Sequence, residues 1–272
     1  MIKIRNNPDR EDYHSGGKEK NMKKVIFEKI DALNFQTSEA YKTFRTNIQF
    51  CGEKIKVVTF TSCLPNEGKS TLVFRLASSM AEAGKKVLMI DADIRKSVTV
   101  ARYQADKKVQ GLSEYLTGQC TLDDCLCCTN IENMDFIFTG PVAPNPSELL
   151  GSDKFEELIA RLRPEYEYIF IDCPPLGSII DAAIVSTVSD GAVFVIEADI
   201  ISYKFAQKVK QQLEKSGCKI LGAVLNKVDM DGKGYYGRYY GKYYGKKYGG
   251  YYGYGYGEKD VQNAAKEAVA GN

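Results

Sequence analysis

The residues with the clearest chemistry form one loop, Thr61-Ser-Cys-Leu-Pro-Asn-Glu-Gly-Lys-Ser-Thr71. It lies between an apolar run and a helix-forming run, which is where a phosphate-binding loop must lie. Backbone N–H groups of such a loop, with the N-terminus of the next helix, surround the phosphates of a nucleotide. Lys69 would reach the β- and γ-phosphates, and Ser70 would ligate Mg²⁺. The sequence therefore predicts nucleotide-binding residues at Pro65, Asn66, Glu67, Gly68, Lys69, Ser70 and Thr71, although Cys63 stands where the standard pattern has glycine.

Two more segments end an apolar run with aspartate, namely Val87-Leu-Met-Ile-Asp91-Ala-Asp93-Ile-Arg95 and Tyr168-Ile-Phe-Ile-Asp172-Cys-Pro-Pro175. In a parallel sheet the carboxyl ends of the strands open onto one crevice, which they share with the phosphate-binding loop. Any one of these aspartates alone fits a solvated turn. All three together with the loop indicate a site where Asp91, Asp93 and Asp172 converge on one Mg²⁺ and the γ-phosphate.

The elements that must position these residues are short apolar strands alternating with amphipathic helices. Nearly continuous apolar runs are typical of strands buried on both faces. The alternation predicts an α/β fold, a mostly parallel P-loop sheet with helices on both faces. The predicted strands are Lys56–Thr61, Lys86–Asp91, Met134–Phe138, Tyr168–Asp172, Gly191–Glu197 and Ile220–Asn226. The predicted helices are Thr37–Cys51, Lys69–Ala83, Ser152–Leu162, Ile179–Val188 and Lys204–Lys215, with Gly84 as a C-terminal cap.

The domain organisation follows from composition. Residues 1–34 are predicted to be a polar, loosely held arm, residues 35–230 the P-loop domain, and residues 231–272 a flexible tail. Residues 235–256 of the tail interleave tyrosine with glycine and basic residues, with no aliphatic residue to build a core. The tyrosines of this cluster are Tyr235, Tyr236, Tyr239, Tyr240, Tyr243, Tyr244, Tyr248, Tyr251, Tyr252, Tyr254 and Tyr256.

Composition also excludes several classes of protein. The only histidine, His14, lies in the polar arm, so Ser-His and Cys-His hydrolases and histidine-rich zinc sites are excluded. No apolar run approaches the length of a membrane span and no secretory signal is present, so we expect a soluble cytoplasmic protein. The eight cysteines are expected to be reduced thiols. Cys120, Cys125, Cys127 and Cys128 match no common zinc spacing and are interpreted as small, partly buried apolar residues.

Together the three signatures resemble those of bacterial tyrosine kinases that control capsule and exopolysaccharide synthesis. The matching residues are Thr-Ser-x-x-Pro-x-Glu-Gly-Lys-Ser at 61–70, Asp-x-Asp-x-Arg at 91–95 and Asp-x-Pro-Pro at 172–175. The resemblance extends to Gly111-Leu-Ser-Glu-Tyr-Leu, to Pro144-Asn-Pro-Ser-Glu-Leu-Leu150 and to the tyrosine cluster, and it covers most of residues 36–256.

The resemblance implies a role for each residue of the site. The first aspartate of the second signature, here Asp91, would accept the tyrosine proton, because a tyrosine with a pKa near ~10 needs a base at neutral pH. Asp93 and Asp172 would hold Mg²⁺ together with Ser70, while Lys69 and the ion neutralise the transferring phosphoryl group. Arg95 would complete the catalytic set. Asn226, at the end of the last strand, would lie near the adenine of ATP.

The resemblance also implies partners. The family joins its subunits into a ring through a helical Glu-x-x-Arg-x-x-Arg motif, here Glu39-x-x-Lys42-x-x-Arg45, in which lysine cannot pair bidentately. A solvated charged helix face is the alternative interpretation. The resemblance implies autophosphorylation of the tyrosine cluster, with transfer between subunits of the ring, and a cognate tyrosine phosphatase that opposes it. A separate membrane adaptor would recruit the cytoplasmic chain to the inner face of the cell membrane.

Three other interpretations compete with this one. Asn226-Lys-Val-Asp229 mimics a guanine-binding pattern, so GTP is an alternative to ATP. A Walker-type partition or cell-division ATPase often has a second lysine five residues before the catalytic one, where this chain has Leu64. A nucleic-acid-binding protein could use the Tyr/Gly/Lys tail for stacking, but that interpretation leaves the three aspartates unexplained, and no nucleic acid is expected.

Overall fold

Short apolar runs assemble into one sheet in the computed structural model, which describes residues 22–96, 99 and 109–228. Within those residues the sheet has eight strands, in the order β1-β4-β5-β3-β6-β2-β7-β8. Only the β4–β5 pairing is antiparallel among the pairings described, so the sheet is mostly parallel, as predicted. The strands are β1 Lys23–Val25, β2 Val57–Ser62, β3 Val87–Asp91, β4 Leu126–Thr129, β5 Met134–Ile137, β6 Tyr168–Asp172, β7 Gly191–Glu197 and β8 Ile220–Asn226.

Helices connect the strands and cover both faces of the sheet. The first helix begins where the side chain of Asn34 accepts a hydrogen bond from the Thr37 amide. The second is followed by Gly84, whose φ of 79° is the left-handed conformation of a glycine cap, as predicted. The helices are α1 Phe35–Phe50, α2 Lys69–Glu82, α3 Leu112–Leu116, α4 Leu122–Cys125, α5 Pro146–Leu150, α6 Asp153–Leu162, α7 Asp181–Ser186 and α8 Tyr203–Glu214.

Two apolar layers hold the sheet between its helices. On one face, α2 packs Leu76 against a cluster that includes Phe60 and Phe170, whose rings meet edge to face at 5.3 Å between centroids. On the other face, α6 contributes Phe155 and Leu162 to a second cluster. Every residue of β2 and β3 is buried, because both faces of these central strands are covered. The predicted α/β fold is therefore confirmed.

Several elements lie outside the sequence prediction. Part of the segment predicted to be a loosely held arm forms β1 at the edge of the sheet, and Val25 and Phe27 are buried in the core. Phe27 meets Phe74 of α2 edge to face at 5.1 Å, which explains why this stretch is ordered against the domain. Strand β4 and the short helices α3, α4 and α5 were also not predicted.

The cysteines all lie among the described residues and carry free thiols. Cys125 and Cys127 are buried in the apolar clusters, and Cys120 and Cys128 are half-buried, consistent with small apolar residues. Burial raises the pKa of the Cys127 thiol to about 11. Among residues 22–96 and 109–228, none of the helices has the length and apolar character needed to cross a bilayer.

Candidate active site

Three neighbouring strands bring the predicted site residues to one edge of the sheet. Strand β6 lies between β3 and β2, so the segments that follow these strands share one crevice. Asp91 at the end of β3 is directly opposite Asp172 at the end of β6, and the Ala92 amide donates to the Asp172 carbonyl at 2.9 Å. Lys69 begins α2, immediately after the loop that follows β2. The strand order thus joins all three signatures.

Lys69 and Asp172 form a buried ion pair at the centre of this edge. The Lys69 ammonium donates to Asp172 Oδ1, and the two side chains are 8% and 1% exposed. Burial alone lowers the pKa of Lys69, but the charges of Asp172 and Asp93 and the hydrogen bond to Asp172 outweigh it, so the net pKa is raised. Lys69 Nζ also lies 3.5 Å from Ser70 Oγ. Lys69 is therefore charged and held where a nucleotide phosphate would bind.

The donor set beside this pair fits Mg²⁺. Within the described part of the chain, the buried Asp172 Oδ2 has no hydrogen-bond partner. Asp93 is half-buried, and burial raises its pKa, with a further contribution from the charge of Asp172. Two carboxylates and the Ser70 hydroxyl are hard oxygen ligands of the kind Mg²⁺ takes, and a cation would relieve both the orphaned oxygen and the raised pKa.

Asp91, the predicted base, is buried and already hydrogen-bonded. Its Oδ1 accepts from the Asp93 amide at 3.2 Å, and its Oδ2 accepts from the Thr99 hydroxyl at 2.7 Å. These two contacts hold the Asp91 carboxylate at the end of β3. Thr99 is a residue that sequence reasoning missed, because a hydroxyl eight positions further along carries no signal of its own.

The phosphate-binding loop is shaped by Glu67 and by two left-handed residues. Asn66 and Gly68 have φ values of 70° and 81°. The Glu67 carboxylate is buried, and it accepts from the Leu64 amide at 2.6 Å and from the Glu197 amide at 3.0 Å. Its side chain therefore holds the loop in shape, and the predicted role of Glu67 in nucleotide binding stays a prediction. Pro65 is exposed on the loop, and Ser70 and Thr71 are half-buried in the first turn of α2.

Residues at the ends of β7 and β8 also bind this loop through hydrogen bonds. Asn226 donates from Nδ2 to the Glu67 carbonyl at 2.8 Å. Lys227 donates to the Asn66 carbonyl at 2.7 Å and to Glu197 Oε2 at 3.0 Å. The structure thus brings Asn226 to the loop, whereas its predicted place near adenine stays a prediction. Sequence reasoning missed Glu197 and noted Lys227 only as part of a guanine-binding pattern.

The hydrogen-bond partners of Arg95 are different from the lysine–aspartate pair. Its guanidinium is bound by Asp181, at the start of α7, and by Ser147 of α5. The predicted catalytic role of Arg95 stays a prediction. Asp181 was not identified from sequence, since it is separated from Arg95 by 86 positions.

The residues predicted to join subunits lie on α1 and have partners within the chain. Lys42 donates to Glu39 at 2.7 Å along the helix face. Arg45 donates to the Ser79 carbonyl at 2.7 Å and lies 3.2 Å from the Ser79 hydroxyl, which ties α1 to α2. The role of these three residues in assembly stays a prediction. The tyrosine cluster, residues 235–256, lies outside the described residues.

A parallel sheet that carries a Gly-Lys-Ser loop beside converging carboxylates has the architecture of P-loop nucleotide-binding proteins. A family model described as an AAA domain matches residues 55–220. The tyrosine-protein kinase CpsD of Streptococcus agalactiae is 42% identical over 194 residues, which cover 71% of this chain and 85% of that protein. The chain belongs to the AAA domain family and to the bacterial tyrosine-protein kinases, and it is a protein-tyrosine kinase.

Solved structures agree with this assignment. The kinase domain of the Escherichia coli tyrosine kinase ETK matches with a TM-score of 0.69 and 31% identity, over 72% of this chain and 78% of that one. The septum site-determining protein MinD from Pyrococcus horikoshii, solved with Mg-ADP, matches less well, with a TM-score of 0.54 and 28% identity over 63% of this chain and 70% of that one. The resemblance inferred from the three signatures is confirmed, and the rival interpretation as a partition-type ATPase has the weaker support.

Proposed function

We propose that this kinase transfers the γ-phosphoryl group of Mg-ATP to the tyrosines of its own cluster at residues 235–256. The observation that carries the proposal is the buried Lys69–Asp172 pair with Asp93 beside it, at the mouth of the phosphate-binding loop. A lysine and two carboxylates in that position match the needs of phosphoryl transfer, in which charge on the phosphate oxygens must be neutralised and the nucleophile oriented. We propose ATP as the nucleotide, and GTP is the alternative because the sequence at Asn226 resembles a guanine-binding pattern.

Each residue has one task in this scheme. Ser70, Asp93 and Asp172 hold Mg²⁺, which when bound supplies positive charge to the β- and γ-phosphate oxygens. Lys69 has three donors, so it can contact phosphate while it keeps its bond to Asp172. Backbone N–H groups of residues 65–71 bind the phosphates. Asn226 holds the loop and lies next to the adenine ring.

Asp91 removes the proton of the attacking tyrosine. The tyrosine hydroxyl is protonated at neutral pH, because its pKa is near ~10, and it becomes a competent nucleophile only as a base accepts that proton. Asp91 lies at the end of β3, opposite Asp172, and is therefore beside the place of the γ-phosphate. Its burial excludes water from the carboxylate while the hydroxyl of Thr99 fixes its orientation.

The tail reaches the site because β8 ends at the same edge of the sheet. Residues 232–257 carry five basic residues and no acidic one, so an acidic, phosphate-bearing crevice attracts the segment. Each phosphotyrosine adds roughly −1.5 to −2 charge, so repeated modification makes the tail anionic and drives neighbouring tails apart. Subunits joined in a ring through Glu39, Lys42 and Arg45 would phosphorylate one another and separate as the charge accumulates.

The cellular role is the control of capsule or exopolysaccharide synthesis or export. In this proposal the chain is cytoplasmic and is recruited to the inner face of the cell membrane by a separate adaptor protein. A cognate tyrosine phosphatase removes the phosphoryl groups from the tyrosine cluster. These partners rest on the family resemblance.

Mass spectrometry of the purified full-length chain, with and without Mg-ATP, tests the proposed reaction. Phosphotyrosine at residues 235–256 is expected in the wild type and is expected to be absent in Lys69→Met and Asp91→Asn. Phosphatase treatment should remove the signal. ATP hydrolysis without any phosphotyrosine would instead support an ATPase of the MinD type.

A mixing experiment separates transfer within one chain from transfer between chains. The donor is the full-length chain with the clustered tyrosines changed to phenylalanine, and the acceptor is full-length Lys69→Met. Phosphotyrosine on the acceptor is expected if transfer occurs between subunits. An unlabelled acceptor beside a labelled wild-type control would restrict the reaction to a single chain.

A further inference from the structure

We propose that Asp181 and Ser147 are positioning residues of the kinase reaction, which act by holding Arg95 and thereby fixing the place of Asp93. The inference rests on the proposed function, in which Asp93 holds Mg²⁺. We call the three residues Arg95, Ser147 and Asp181 the Arg95 clamp. None of them contacts the Lys69–Asp172 pair in the hydrogen bonds that the structure describes.

The clamp is a closed set of hydrogen bonds around a fully buried carboxylate. Asp181 is 0% exposed and accepts from Arg95 Nε at 2.7 Å and from Arg95 Nη2 at 3.0 Å. The Ser147 hydroxyl donates to Asp181 Oδ1 at 2.7 Å and accepts from Arg95 Nη2 at 2.9 Å. A bidentate pair of this kind defines both the distance and the plane of the guanidinium.

The clamp lies close enough along the chain to control Asp93. Between Asp93 and Arg95 stands Ile94, which is buried in the core and whose carbonyl accepts from the Ala143 amide at 3.4 Å. On the other side, Asp93 follows β3, and its amide is held by Asp91. The backbone of Asp93 is thus fixed at both ends, by the sheet before it and by Ile94 and Arg95 after it.

The clamp also joins the segment after β3 to the helix after β6, and these two follow the strands that lead to the proposed metal ligands. Arg95 belongs to the segment after β3, which carries Asp93, and Asp181 begins the helix that follows β6 and Asp172. A rigid connection between these segments sets the separation of the Asp93 and Asp172 carboxylates. Mg²⁺ demands near-ideal octahedral geometry, so this separation decides how well the two carboxylates can share one ion.

The arrangement of charges supports a positioning role rather than simple packing. Apolar residues could fill the same space, and replacing a buried ion pair by apolar residues is often neutral for stability. A charged, bidentate pair instead selects one geometry for the segment. Displacement of a reacting group by about 1 Å can reduce the rate about 100-fold, so loss of the clamp is expected to affect turnover more than nucleotide binding.

The main test replaces Asp181 by asparagine in the full-length kinase. Asp181→Asn keeps the shape and the Ser147 contact but removes the negative charge and one acceptor for Arg95. We expect kcat for phosphotyrosine formation to fall about 10- to 100-fold while the KM for ATP changes little. The second readout is the affinity of a fluorescent ADP analogue, measured in EDTA and in MgCl₂. Affinity in EDTA should be retained, and the gain on adding Mg²⁺ should shrink.

Asp190→Asn is the matched control. Asp190 pairs with Arg163 at 2.7 Å and accepts from the Lys56 and Val57 amides, but it lies at the amino-terminal edge of the sheet. This variant should lower the melting temperature without changing the gain in ADP affinity that Mg²⁺ produces. Equal loss of that gain in both variants would show a general structural effect and would overturn the positioning role.

Two further variants make the outcome unambiguous. Ser147→Ala leaves both charges in place and should show the same pattern as Asp181→Asn with a smaller effect, so it decides the question if Asp181→Asn does not fold. A normal kcat and a normal Mg²⁺ gain in these variants would overturn the clamp. Asp93→Asn tests the proposed function separately, because a normal Mg²⁺ gain in that variant would remove the metal role that the clamp serves.

Discussion

Replacement of Lys69 by methionine should separate the electrostatic and catalytic roles of the buried pair. Methionine keeps an unbranched apolar chain of similar length, so packing changes little. It removes the ammonium that compensates Asp172, and both side chains of the pair are almost completely buried. The variant should therefore make no phosphotyrosine and should also be less stable than the wild type.

The size of the stability loss follows from burial. Removing one partner of a buried ion pair costs about 3–5 kcal/mol, because the remaining charge is left uncompensated. For a domain of this size, a loss of 1 kcal/mol lowers the melting temperature by about 2–4 °C, so a decrease of about 6–20 °C is expected. Lys69→Met/Asp172→Asn lacks the uncompensated charge, and it should recover at least half of the loss while remaining inactive.

The pH dependence of this loss has a definite sign. In the wild type the pKa of Lys69 is raised above its ordinary value, so its contribution to stability is present throughout neutral pH and is lost only as the pH rises through that raised pKa. In Lys69→Met the charge that lowers the pKa of Asp93 is gone while burial still raises it, so Asp93 can take up a proton in acid. The difference in melting temperature between variant and wild type should therefore narrow as the pH falls from about 8 to about 5.

Thermal unfolding followed by circular dichroism, measured at several pH values, provides the assay. The reasoning would be refuted by a single variant as stable as the wild type at pH 8, or by a double variant less stable than the single one. Phosphotyrosine on the single variant, detected by mass spectrometry, would refute the catalytic role.

Three further predictions concern the loop and its metal. Gly68→Ala places a Cβ 2.3 Å from Asn226 Nδ2 at a φ of 81°, so it should cost about 1–2 kcal/mol in denaturant unfolding and weaken ADP binding. Unchanged values would contradict the proposal that Asn226 holds the loop. Lys227→Met should raise the Kd for ADP several-fold in calorimetry, with a stability change below about 1 kcal/mol because the side chain is 46% exposed; an equal Kd would count against it. Burial raises the pKa of Asp93, so the increase in ADP affinity that Mg²⁺ produces should become larger as the pH rises through that pKa. In Asp93→Asn this increase should not change with pH.

Local patterns were sufficient for the main elements. The six predicted strands agree with β2, β3, β5, β6, β7 and β8 to within one residue at each end, because a nearly continuous apolar run is a signal that neighbouring residues carry themselves. The same holds for α2, whose start at Lys69 is set by the loop and whose end is set by Gly84. Strand β1, with three residues, is too brief to show a period, and β4 contains Cys127 and Cys128, which carry no strand signal of their own.

Side chains within local motifs could likewise be identified from the sequence, whereas their partners from distant segments could not. Lys69, Asp91, Asp93 and Asp172 were identified from sequence because their motifs place them next to strand ends. Arg95 belongs to the same motif, yet its partners Ser147 and Asp181 come from helices far along the chain, and no local pattern could name them. Glu67 was assigned to the nucleotide, whereas its carboxylate is occupied by the amides of Leu64 and Glu197.

The sequence by itself determined the chemical groups, the strand ends that carry them and the family to which the chain belongs. Only the tertiary structure decided that β6 lies between β3 and β2, which makes Lys69, Asp93 and Asp172 neighbours. It also decided that Arg95 forms its ion pair with Asp181. The physical reason is that periodicity and turn chemistry act between residues a few positions apart. Strand order and the partners of buried charges are instead settled by the burial of both faces of the sheet at once, to which distant segments all contribute.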